Sequence, residues 1–520
     1  MKKNKFWQNK FLISLLAGGF CSLAFAPLHF FIAAPISLSV FYVLLEKAKK
    51  RNEIFWLGFA FGFGYFLTGI YWIAISLLVD AASFAWLIPF ALTLIPSALA
   101  LYLALFALSY KFLLEKFNLT FNYQKIAIFS LCWVFFEILR SELFTGFPWN
   151  LLGYVWMFDI HFAQTASIFG IYGLSLFAVS ISLFPIFFLY KNTLWDKVSA
   201  FLLIKLLITI AIFGYLRVDE FALKTDSKIK LRLVQANIKQ EMKWDGEEKY
   251  QNLLKHIELT NSKSLKDISA VIWSETAVPY AIEEGSELLT KLREATPPNG
   301  VLITGALRLG YGDKSKTWVS NAWNSVFTLN QNGVVNAYDK HHLVPFGEYI
   351  PLQKYLPFIE KITEGAMGFS EGDGPQTIAA QGFSFSPLVC YEVIFSDEVV
   401  NKNSRPDLLV NLTNDAWFGN SSGPYQHFDM SKMRSIEYGI SMARVANTGI
   451  TAFIDPFGRV IDKINLNQSG IVDVNLIENL DPTIYGKYRY GPLLLLAVAT
   501  LLFLILLAKS AHVIRQNHTR

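Results

Sequence analysis

Three polar side chains, each placed directly after an apolar run, are the residues whose types suit covalent chemistry. Glu275 follows VIWS, Lys340 follows VVNAYD and Cys390 follows SPLV. A free thiol has a pKa of roughly 8.5 and needs help to become the thiolate nucleophile, which a carboxylate base or a neighbouring ammonium group provides. The sequence therefore predicts acyl transfer through the thiol of Cys390.

The three residues have distinct expected roles. Glu275 would take the thiol proton, while Lys340 would hold positive charge near the developing oxyanion, together with the backbone N–H that follows Cys390. Positioned proton transfer typically contributes about 10²- to 10⁴-fold, so loss of Glu275 should nearly abolish catalysis. Ligands in open α/β sheets tend to bind beyond the carboxyl ends of strands, so residues that end different strands can converge there.

Short β-branched runs alternate with helical or loop segments between residues 228 and 476. This pattern, with a polar amphipathic stretch around residues 250–259, predicts an α/β domain with buried strands. A domain of this length can bury a full core without disulfides. The predicted strands are 231–238, 270–276, 301–307, 324–330, 333–340, 386–393, 408–414 and the hairpin 451–462.

The remainder of the chain is apolar. The whole sequence is 53% hydrophobic and 15% aromatic, a composition that favours membrane residence. Cys21 and Cys132 lie inside these apolar runs and are predicted to be small core residues, so neither a disulfide framework nor metal-type spacing is present. Eight segments come near the length of about 20 residues that a membrane-spanning helix needs. They are 11–27, 28–45, 54–79, 84–109, 126–140, 162–189, 198–216 and 491–508.

The distribution of basic residues predicts the orientation of these spans. Lys and Arg collect before the first span and after the second, fourth, sixth and eighth, whereas the loops 80–83 and 141–161 contain neither. Positive charge near span ends tends to stay in the cytoplasm, so both termini are predicted there and residues 225–485 outside. The net charge of +5 forms no continuous stripe, and nucleic-acid binding is not expected.

Several long strings in the extramembrane region match motifs of a known family. They are WSETAVPY around Glu275, YDKHHLVPFGEYIP around Lys340, LVCYEVIF around Cys390, and NLTNDAWFG followed by RSIEYGISMARVANTGI. These strings resemble the nitrilase superfamily and, within it, the apolipoprotein N-acyltransferase family. The resemblance covers essentially the whole chain, because that family also places a nitrilase-like domain between the seventh and eighth of eight membrane helices.

The resemblance implies a fold and a location. The fold would be eight transmembrane helices plus an α/β nitrilase-like domain, a four-layer αββα sandwich that carries a triad of Glu275, Lys340 and Cys390. The protein would be a multi-pass protein of the bacterial inner membrane. Its implied parts are a membrane domain of seven helices (1–220), a periplasmic catalytic domain (225–485), the eighth helix (490–510) and a cytoplasmic tail (511–520).

Further family positions match this sequence one at a time. Glu348 in PFGEY resembles the second glutamate that supports the intermediate, and Tyr391 and Glu392 match the pair that follows the nucleophile. Trp244 in EMKWD matches a tryptophan that contacts substrate. Each has a structural alternative, since Trp244 could cap the core and the two glutamates could form ion pairs behind the site.

Two other features of the sequence invite interpretation. His341 and His342 are expected to be structural, because neighbours on an extended strand point to opposite faces and no metal spacing accompanies them. No metal and no cofactor are expected. The segment 351–362 and the glycine-rich stretch 365–374, which includes Met367, have the composition of a mobile arm on the membrane surface or of an ordinary surface loop.

The activity implied by the resemblance is a two-step acyl transfer. Cys390 would attack a phospholipid ester to give a thioester, which the α-amino group of an S-diacylglyceryl-cysteine on an apolipoprotein would then attack. The expected partners are the phospholipid donor, the modified apolipoprotein and the lipid bilayer, and the protein is expected to be a monomer. An enzyme at the bilayer makes physical sense, because exposing acyl chains to water costs about 0.8 kcal/mol per CH₂.

Two alternatives from other functional classes remain at this point. A membrane-anchored nitrilase-type amidase would use the same three residues and hand the thioester to water, although an anchor needs only one span. A transporter or sensor with an outer ligand-binding domain would instead be expected to carry buried charges within its spans. Glu137 and Arg140, at the end of the fifth span, are such charges, with a lipid head group, a protein substrate or an interfacial ion pair as their candidate partners.

Overall fold

The computed structural model describes residues 9–190, 192–219, 224–243, 246–283, 285–312, 318–351 and 368–518, with side chains in the last helix up to Leu504. The chain divides into two compact units. The first is made of Met1–Ala74, Leu87–Phe221 and Thr483–Arg520, and the second of Ile75–Trp86 and Ala222–Pro482.

Helices dominate the first unit, and a smaller number belong to the second. In the described residues the helices are α1 (Lys10–Cys21), α2 (Ala33–Lys47), α3 (Arg51–Gly69), α4 (Ile73–Ser76), α5 (Ala81–Phe84), α6 (Ile88–Lys116), α7 (Asn122–Glu142), α8 (Ile160–Ala163), α9 (Ala166–Ser182), α10 (Ile186–Leu189), α11 (Leu194–Asp219), α12 (Gln240–Lys243), α13 (Glu248–Asn261), α14 (Glu287–Glu294), α15 (Gly423–Tyr438), α16 (Ile484–Tyr488) and α17 (Gly491–His518).

Several of the helices are apolar and long enough to cross a bilayer. Among the described residues, Ala81–Lys116, Ala166–Leu189 and Leu194–Val218 meet both requirements, and Lys10–Ala24 and Gly491–Leu504 are shorter apolar helices. The third predicted span, 54–79, is shorter than expected, because α3 ends at Gly69, where the backbone leaves the helical region at Ile70. The observed helices thus support a membrane protein with at least three candidate spans.

Glu137 and Arg140 on α7 are buried and hold the chain that follows the helix. Glu137 Oε1 accepts hydrogen bonds from Trp133 Nε1 at 3.0 Å and from the backbone N–H of Leu152 at 2.8 Å. Arg140 Nη1 donates to the carbonyl oxygen of Trp149 at 2.8 Å. A buried charge is tolerated where polar partners satisfy it, and backbone groups supply partners for Oε1 of Glu137 and Nη1 of Arg140. Both charges therefore position the loop after α7. This role differs from binding a lipid head group, binding a protein substrate or forming an interfacial ion pair.

Strands form the body of the second unit. They are β1 (Thr225–Gln235), β2 (Ala270–Ile272), β3 (Val278–Ala281), β4 (Val301–Tyr311), β5 (Val319–Asn330), β6 (Gly333–Asp339), β7 (Ile378–Ala380), β8 (Phe383–Val389), β9 (Leu408–Thr413), β10 (Met442–Ala446), β11 (Thr451–Ile454), β12 (Val460–Ile464) and β13 (Gly470–Ile477).

These strands build two mixed sheets from the described residues. The first has the order β13-β1-β2-β4-β5-β6 with β3 beside β4, and the second has the order β12-β11-β10-β9-β8-β7. In the first sheet β2 and β4 are parallel, and two successive antiparallel pairings, β4 with β5 and β5 with β6, return β6 to the direction of β2. The carboxyl ends of β2 and β6 therefore lie at the same edge. In the second sheet β8, β9 and β10 are parallel.

The two sheets pack face to face, and helices cover their outer faces. Leu233 and Ile303 of the first sheet share one buried cluster with Val410 and Val445 of the second. On the outer face of the first sheet, side chains of α13 and α14 join a separate buried cluster with strand residues. On the second sheet, the guanidinium of Arg444 in β10 hydrogen-bonds to α15. The layers are helix, sheet, sheet and helix, as the resemblance implied.

The strand predictions are confirmed in position, with differences at their ends. Every predicted strand overlaps an observed one, and the amphipathic stretch 250–259 lies within α13. The strand predicted as 270–276 ends at Ile272 and the one predicted as 386–393 ends at Val389, so Glu275 and Cys390 lie in turns beyond their strands. The sequence patterns missed β3, β7, β10 and β13. Three of these are short, and periodicity is a weak signal over three to five residues.

Candidate active site

Cys390 lies at the point where β8 changes into a short 3₁₀ helix, Cys390–Ile394. Its φ of +50° is unusual for a residue with a side chain. Such a backbone costs on the order of 1–3 kcal/mol and persists only where the surroundings hold it in place. The carbonyl oxygen of Cys390 lies 3.2 Å from Nε2 of His427, and the preceding N–H, of Val389, donates to Glu392 at 2.6 Å. The turn thus holds the thiol, which is 8% exposed, at the end of the strand.

Glu392 ties the Cys390 turn to the turn that follows β6. Its Oε2 accepts from Val389, and its Oε1 accepts from the backbone N–H of His341 at 2.8 Å and from the Tyr338 hydroxyl at 2.9 Å. Since both oxygens are occupied and the side chain is fully buried, the geometry favours a role in positioning the backbone over direct contact with substrate.

The two histidines do not point to opposite faces, so the reason given for their structural role is wrong. The strand β6 ends at Asp339, and beyond it both rings turn to one carboxylate: His341 Nε2 lies 3.3 Å and His342 Nδ1 2.8 Å from Glu398. Although burial opposes it, hydrogen bonds to Glu392 and Glu398 raise the pKa of His341 to about 10. Hydrogen bonds from the two rings lower the pKa of Glu398 to about 2 against the effect of burial.

A chain of hydrogen bonds links the predicted base to the predicted cation. Nδ2 of Asn324 on β5 donates to Glu275 Oε1 at 2.8 Å and to Glu348 Oε1 at 3.0 Å. The other oxygen of Glu348 lies 2.8 Å from Lys340 Nζ. Among the described residues, Oε2 of Glu275 is buried and has no hydrogen-bond partner. That oxygen is therefore available to accept a proton.

The turn that carries Glu275 is tightly packed. Thr276 has a φ of +45°, and a Cβ on Gly305 of the neighbouring strand β4 would lie 2.7 Å from Cα of Glu275. Only glycine permits so close an approach of the two backbones. On the other side, Nζ of Lys243 donates to the carbonyl oxygen of Glu275 at 2.9 Å.

The charges of Glu275 and Lys340 both act on the thiol of Cys390. Burial, followed by the charge of Glu275, raises the pKa of Cys390, while Lys340 lowers it. Burial also raises the pKa of Glu275, opposed chiefly by Lys340. Burial lowers the pKa of Lys340, but the negative charges of Glu348 and Glu275 outweigh it and raise the pKa above its usual value. In the resting site Lys340 is therefore a cation and Cys390 a neutral thiol, and Glu275 has a pKa raised toward the range where a general base works best.

A second buried network supports Cys390 from the other sheet. Thr413 Oγ1, at the end of β9, lies 3.2 Å from Cys390 Sγ and 3.1 Å from Asp415 Oδ1. Asp415 also accepts from Arg444 Nη2 at 2.7 Å and contacts His427 Nδ1 at 2.9 Å. Although burial acts in the opposite direction, the charge of Arg444 helps to lower the pKa of Asp415 to about 2, so the carboxylate is ionised.

Sequence reasoning named Glu275, Lys340 and Cys390 as a candidate triad and did not name several of the residues that contact them. Thr413 and Asp415 lie in the string NLTNDAWFG, but the string alone assigned them no role. Asn324 lies inside a strand and Lys243 at the end of a short helix, positions that carry no distinctive spacing. The contacts of these residues arise only from the fold.

Among the other residues predicted for the site, one is buried among aromatic rings and others lie outside the described residues. Tyr391 is buried, with its ring 5.1 Å from that of Phe395 and 5.8 Å from that of His342. Trp244 and Met367 lie outside the described residues, as does most of the predicted arm, residues 352–367.

Comparison with known proteins matches both parts of the chain. The family profile described as "Apolipoprotein N-acyltransferase N-terminal domain" matches residues 17–184, and the one described as "Carbon-nitrogen hydrolase" matches residues 230–485. The curated apolipoprotein N-acyltransferase of Rickettsia prowazekii is 39% identical over 96% of this chain and 98% of its own. The chain belongs to the apolipoprotein N-acyltransferase family.

Other members of the family are similar over nearly their full length. The apolipoprotein N-acyltransferase of Rickettsia bellii is 41% identical over 94% of this chain and 96% of its own, and that of Rhodopseudomonas palustris is 35% identical over 96% and 95%. The family resemblance inferred from the motif strings is thus confirmed for the apolar and the globular part together.

The position of Thr413 predicts a contribution to the reactivity of Cys390. In the resting site its single hydroxyl proton goes to ionised Asp415, and it can turn to the sulfur once a thiolate forms. A hydrogen bond to a charged group is worth about 1.5–3 kcal/mol. We therefore expect Thr413→Val to slow modification of Cys390 by iodoacetamide at least about tenfold, measured by peptide-resolved mass spectrometry. Thr413→Ser should stay near the parent rate; equal rates for the valine variant and the parent would contradict this role.

The raised pKa of His341 predicts a pH-dependent contribution to stability. Its pKa is about 10 in the folded protein against an ordinary value near 6.5, so the stabilisation is complete below about pH 6.5 and is lost as the pH rises through about 10. We expect His341→Gln to lower the midpoint of thermal unfolding most at low pH, with a difference from the parent that shrinks toward about pH 10. A difference that stays constant over this range would show that His341 is not charged in the folded protein.

Proposed function

We propose that the protein is a phospholipid-dependent N-acyltransferase that carries a fatty acyl chain as a thioester on Cys390. The acceptor is the α-amino group of the N-terminal S-diacylglyceryl-cysteine of apolipoproteins. The observation that carries this proposal is a buried thiol on which the charges of Glu275 and Lys340 act, in a chain that belongs to the apolipoprotein N-acyltransferase family.

The first half-reaction forms the thioester. Glu275 takes the proton of the thiol while Cys390 Sγ attacks the carbonyl carbon of a phospholipid ester. The negative charge that develops on the carbonyl oxygen is stabilised by Lys340, whose Glu348 partner keeps it protonated and fixed in place. Collapse of the tetrahedral intermediate breaks the ester C–O bond, and the lysophospholipid leaves with the proton held by Glu275.

The second half-reaction transfers the acyl chain to nitrogen. The α-amino group attacks the thioester carbon, Glu275 takes a proton from the amine, and the sulfur leaves and recovers that proton as a thiol. One carboxylate thus serves both halves, which requires a pKa near the working pH in each direction. Burial of Glu275, which raises its pKa, supports this double use.

The remaining sequence-predicted features join the proposal as follows. Residues 1–220 and 490–510 form eight spans in the bacterial inner membrane, with both termini, including the tail 511–520, in the cytoplasm. Residues 225–485 form the catalytic domain in the periplasm, where lipoproteins with a modified N terminus are presented. Trp244 and Tyr391 contact substrate, and the protein acts as a monomer. The apolar helices and the distribution of Lys and Arg support this arrangement.

The chemistry is tested by following the sulfur and the released lipid together. Incubation of the purified full-length protein with phospholipid should add one acyl chain to the peptide that contains Cys390, seen by mass spectrometry, and release one lysophospholipid per thiol. Sustained release should then require a diacylglyceryl lipopeptide with a free α-amino group. Cys390→Ala should give no adduct, and Glu275→Gln should reduce its rate by about 10²-fold or more.

Two results would contradict this scheme. An acyl adduct on a residue other than Cys390 would show that Cys390 is not the nucleophile. Sustained lysophospholipid release that is independent of the amine would instead identify a hydrolase, in which water takes the acyl chain.

The orientation is tested by labelling single added cysteines with a membrane-impermeant maleimide in spheroplasts. Lys266 is exposed in the second unit and Arg51 is exposed in the first. The proposal predicts that Lys266→Cys reacts in intact spheroplasts and that Arg51→Cys reacts only after permeabilisation. The reverse pattern would place residues 225–485 in the cytosol, where the acceptor lipoproteins are not presented.

A further inference from the structure

Lys243 is a buried cation beside the proposed active site with no role assigned so far. Its side chain lies at the end of α12 and is 5% exposed, and its Nζ donates to the carbonyl oxygen of Glu275 at 2.9 Å. Burying an ammonium group is costly unless neighbouring charges or dipoles compensate for it. Burial lowers the pKa of Lys243 to about 8, and the negative charge of Glu275 opposes that effect, so the group is mostly protonated at neutral pH.

The charges of the site balance only when Lys243 is included. Two carboxylates, Glu275 and Glu348, are joined through Asn324, yet the ion pair of Lys340 is made with Glu348 at 2.8 Å. Without a second cation, the buried group would hold two carboxylates against one ammonium. Lys243 supplies that cation, and its Nζ contacts the main chain of Glu275.

A small cavity lies behind this ammonium group. It measures about 10 Å³ and its lining includes Lys243, Thr276 and His256. Burial lowers the pKa of His256 to about 4, so its ring is neutral. Its Nδ1–H therefore donates to the carbonyl oxygen of Asn252 at 2.8 Å, and its Nε2, for which the described residues offer no partner, is a hydrogen-bond acceptor. The volume suits one water molecule, which could bridge Nζ of Lys243 and Nε2 of His256.

We propose that Lys243 is a positioning residue for acyl transfer: its ammonium group holds the main chain of Glu275 and keeps the carboxylate ionised, so that Glu275 can accept the proton of Cys390. The inference rests on the proposed function for its biological purpose. It concerns the charge state of Glu275 in the free enzyme, which can be measured without any acyl donor.

Several charged groups face this site and would share the effect. Around Glu275 they are Lys340, which follows β6, Glu348 in the loop beyond it, Lys243 from α12 and the thiol of Cys390 beyond β8. Asp415 faces the thiol from the end of β9. Of these, Lys243 can be changed while the thiol, the carboxylate of Glu275 and the ion pair of Lys340 are all kept, because its hydrogen bond is made to the main chain of Glu275.

The test measures how the reactivity of Cys390 depends on pH in the full-length protein. Iodoacetamide is the probe, and peptide-resolved mass spectrometry separates Cys390 from Cys21 and Cys132. Three variants divide the roles of the side chain. Lys243→Arg keeps the charge, Lys243→Gln keeps a donor for the carbonyl of Glu275 without charge, and Lys243→Met keeps only the volume. Lys291→Met is the control, since Lys291 is an exposed lysine of the same domain.

Loss of the charge should raise the pKa of both Glu275 and the thiol, because an opposite charge within about 4–6 Å favours the ionised form. We expect the pH profile of alkylation to shift in Lys243→Gln and Lys243→Met, with a rate about tenfold lower at neutral pH and a difference from the parent that shrinks above about pH 8, where Lys243 loses its own proton. Lys243→Arg and Lys291→Met should keep the parent profile. If the methionine variant does not accumulate as folded protein, the glutamine and arginine variants decide the question.

Two outcomes would overturn the inference. One is an unshifted profile in Lys243→Gln, which would make the residue purely structural; the other is an equal shift in Lys243→Arg and Lys243→Gln, which would make shape rather than charge decisive. The outcome of this alkylation test is independent of the outcome of the acyl-adduct experiment. A protein whose Cys390 shows the expected shift but forms no thioester from phospholipid would retain the role of Lys243 while losing the proposed donor.

Discussion

The buried ion pair between Lys340 and Glu348 is the interaction on which the site depends. Their charged atoms lie 2.8 Å apart, with side chains 1% and 7% exposed. Charges removed from water are stable only with close opposite charges and complete hydrogen bonding, so this pair determines what can surround it. Nδ2 of Asn324 donates a hydrogen bond to the remaining oxygen of Glu348 and another to Glu275, so the same amide orients both carboxylates. Of these two carboxylates, Glu275 has an oxygen for which the described residues offer no partner, so the same stable arrangement leaves the proposed base able to accept a proton.

The strand directions explain why these residues meet. Lys340 follows β6 and Glu275 follows β2, and the two strands run in the same direction although antiparallel β5 lies between β4 and β6. Cys390 follows β8, a strand of the other sheet, and reaches the group because the two sheets share a single buried core. Each sheet therefore contributes different chemistry: the first holds the proposed base and the proposed cation, and the second holds the proposed nucleophile.

Groups packed on the second sheet also hold the strained backbone of Cys390 in place. The positive φ is held by hydrogen bonds on both sides of the residue, from the Val389 N–H to Glu392 and from His427 to the Cys390 carbonyl. The guanidinium of Arg444 and the carboxylate of Asp415, both fully buried next to His427, neutralise each other's charge at an Nη2–Oδ2 distance of 2.7 Å. This rigid support is consistent with a nucleophile that must return to one position after each of two half-reactions.

The sequence by itself determined the apolar and globular parts, the α/β class and the three residues with reactive types, because hydropathy and strand periodicity are local properties of the chain. The long motif strings around Glu275, Lys340 and Cys390 also identified the family, which the relatives then confirmed. Only the tertiary structure decided that Asn324, Thr413 and Lys243 belong to the site, that both histidines contact Glu398, and that α3 ends at Gly69. The hydrogen bonds and ion pairs among them join residues that lie tens of positions apart, and such pairings depend on sheet order and packing, which no local pattern records.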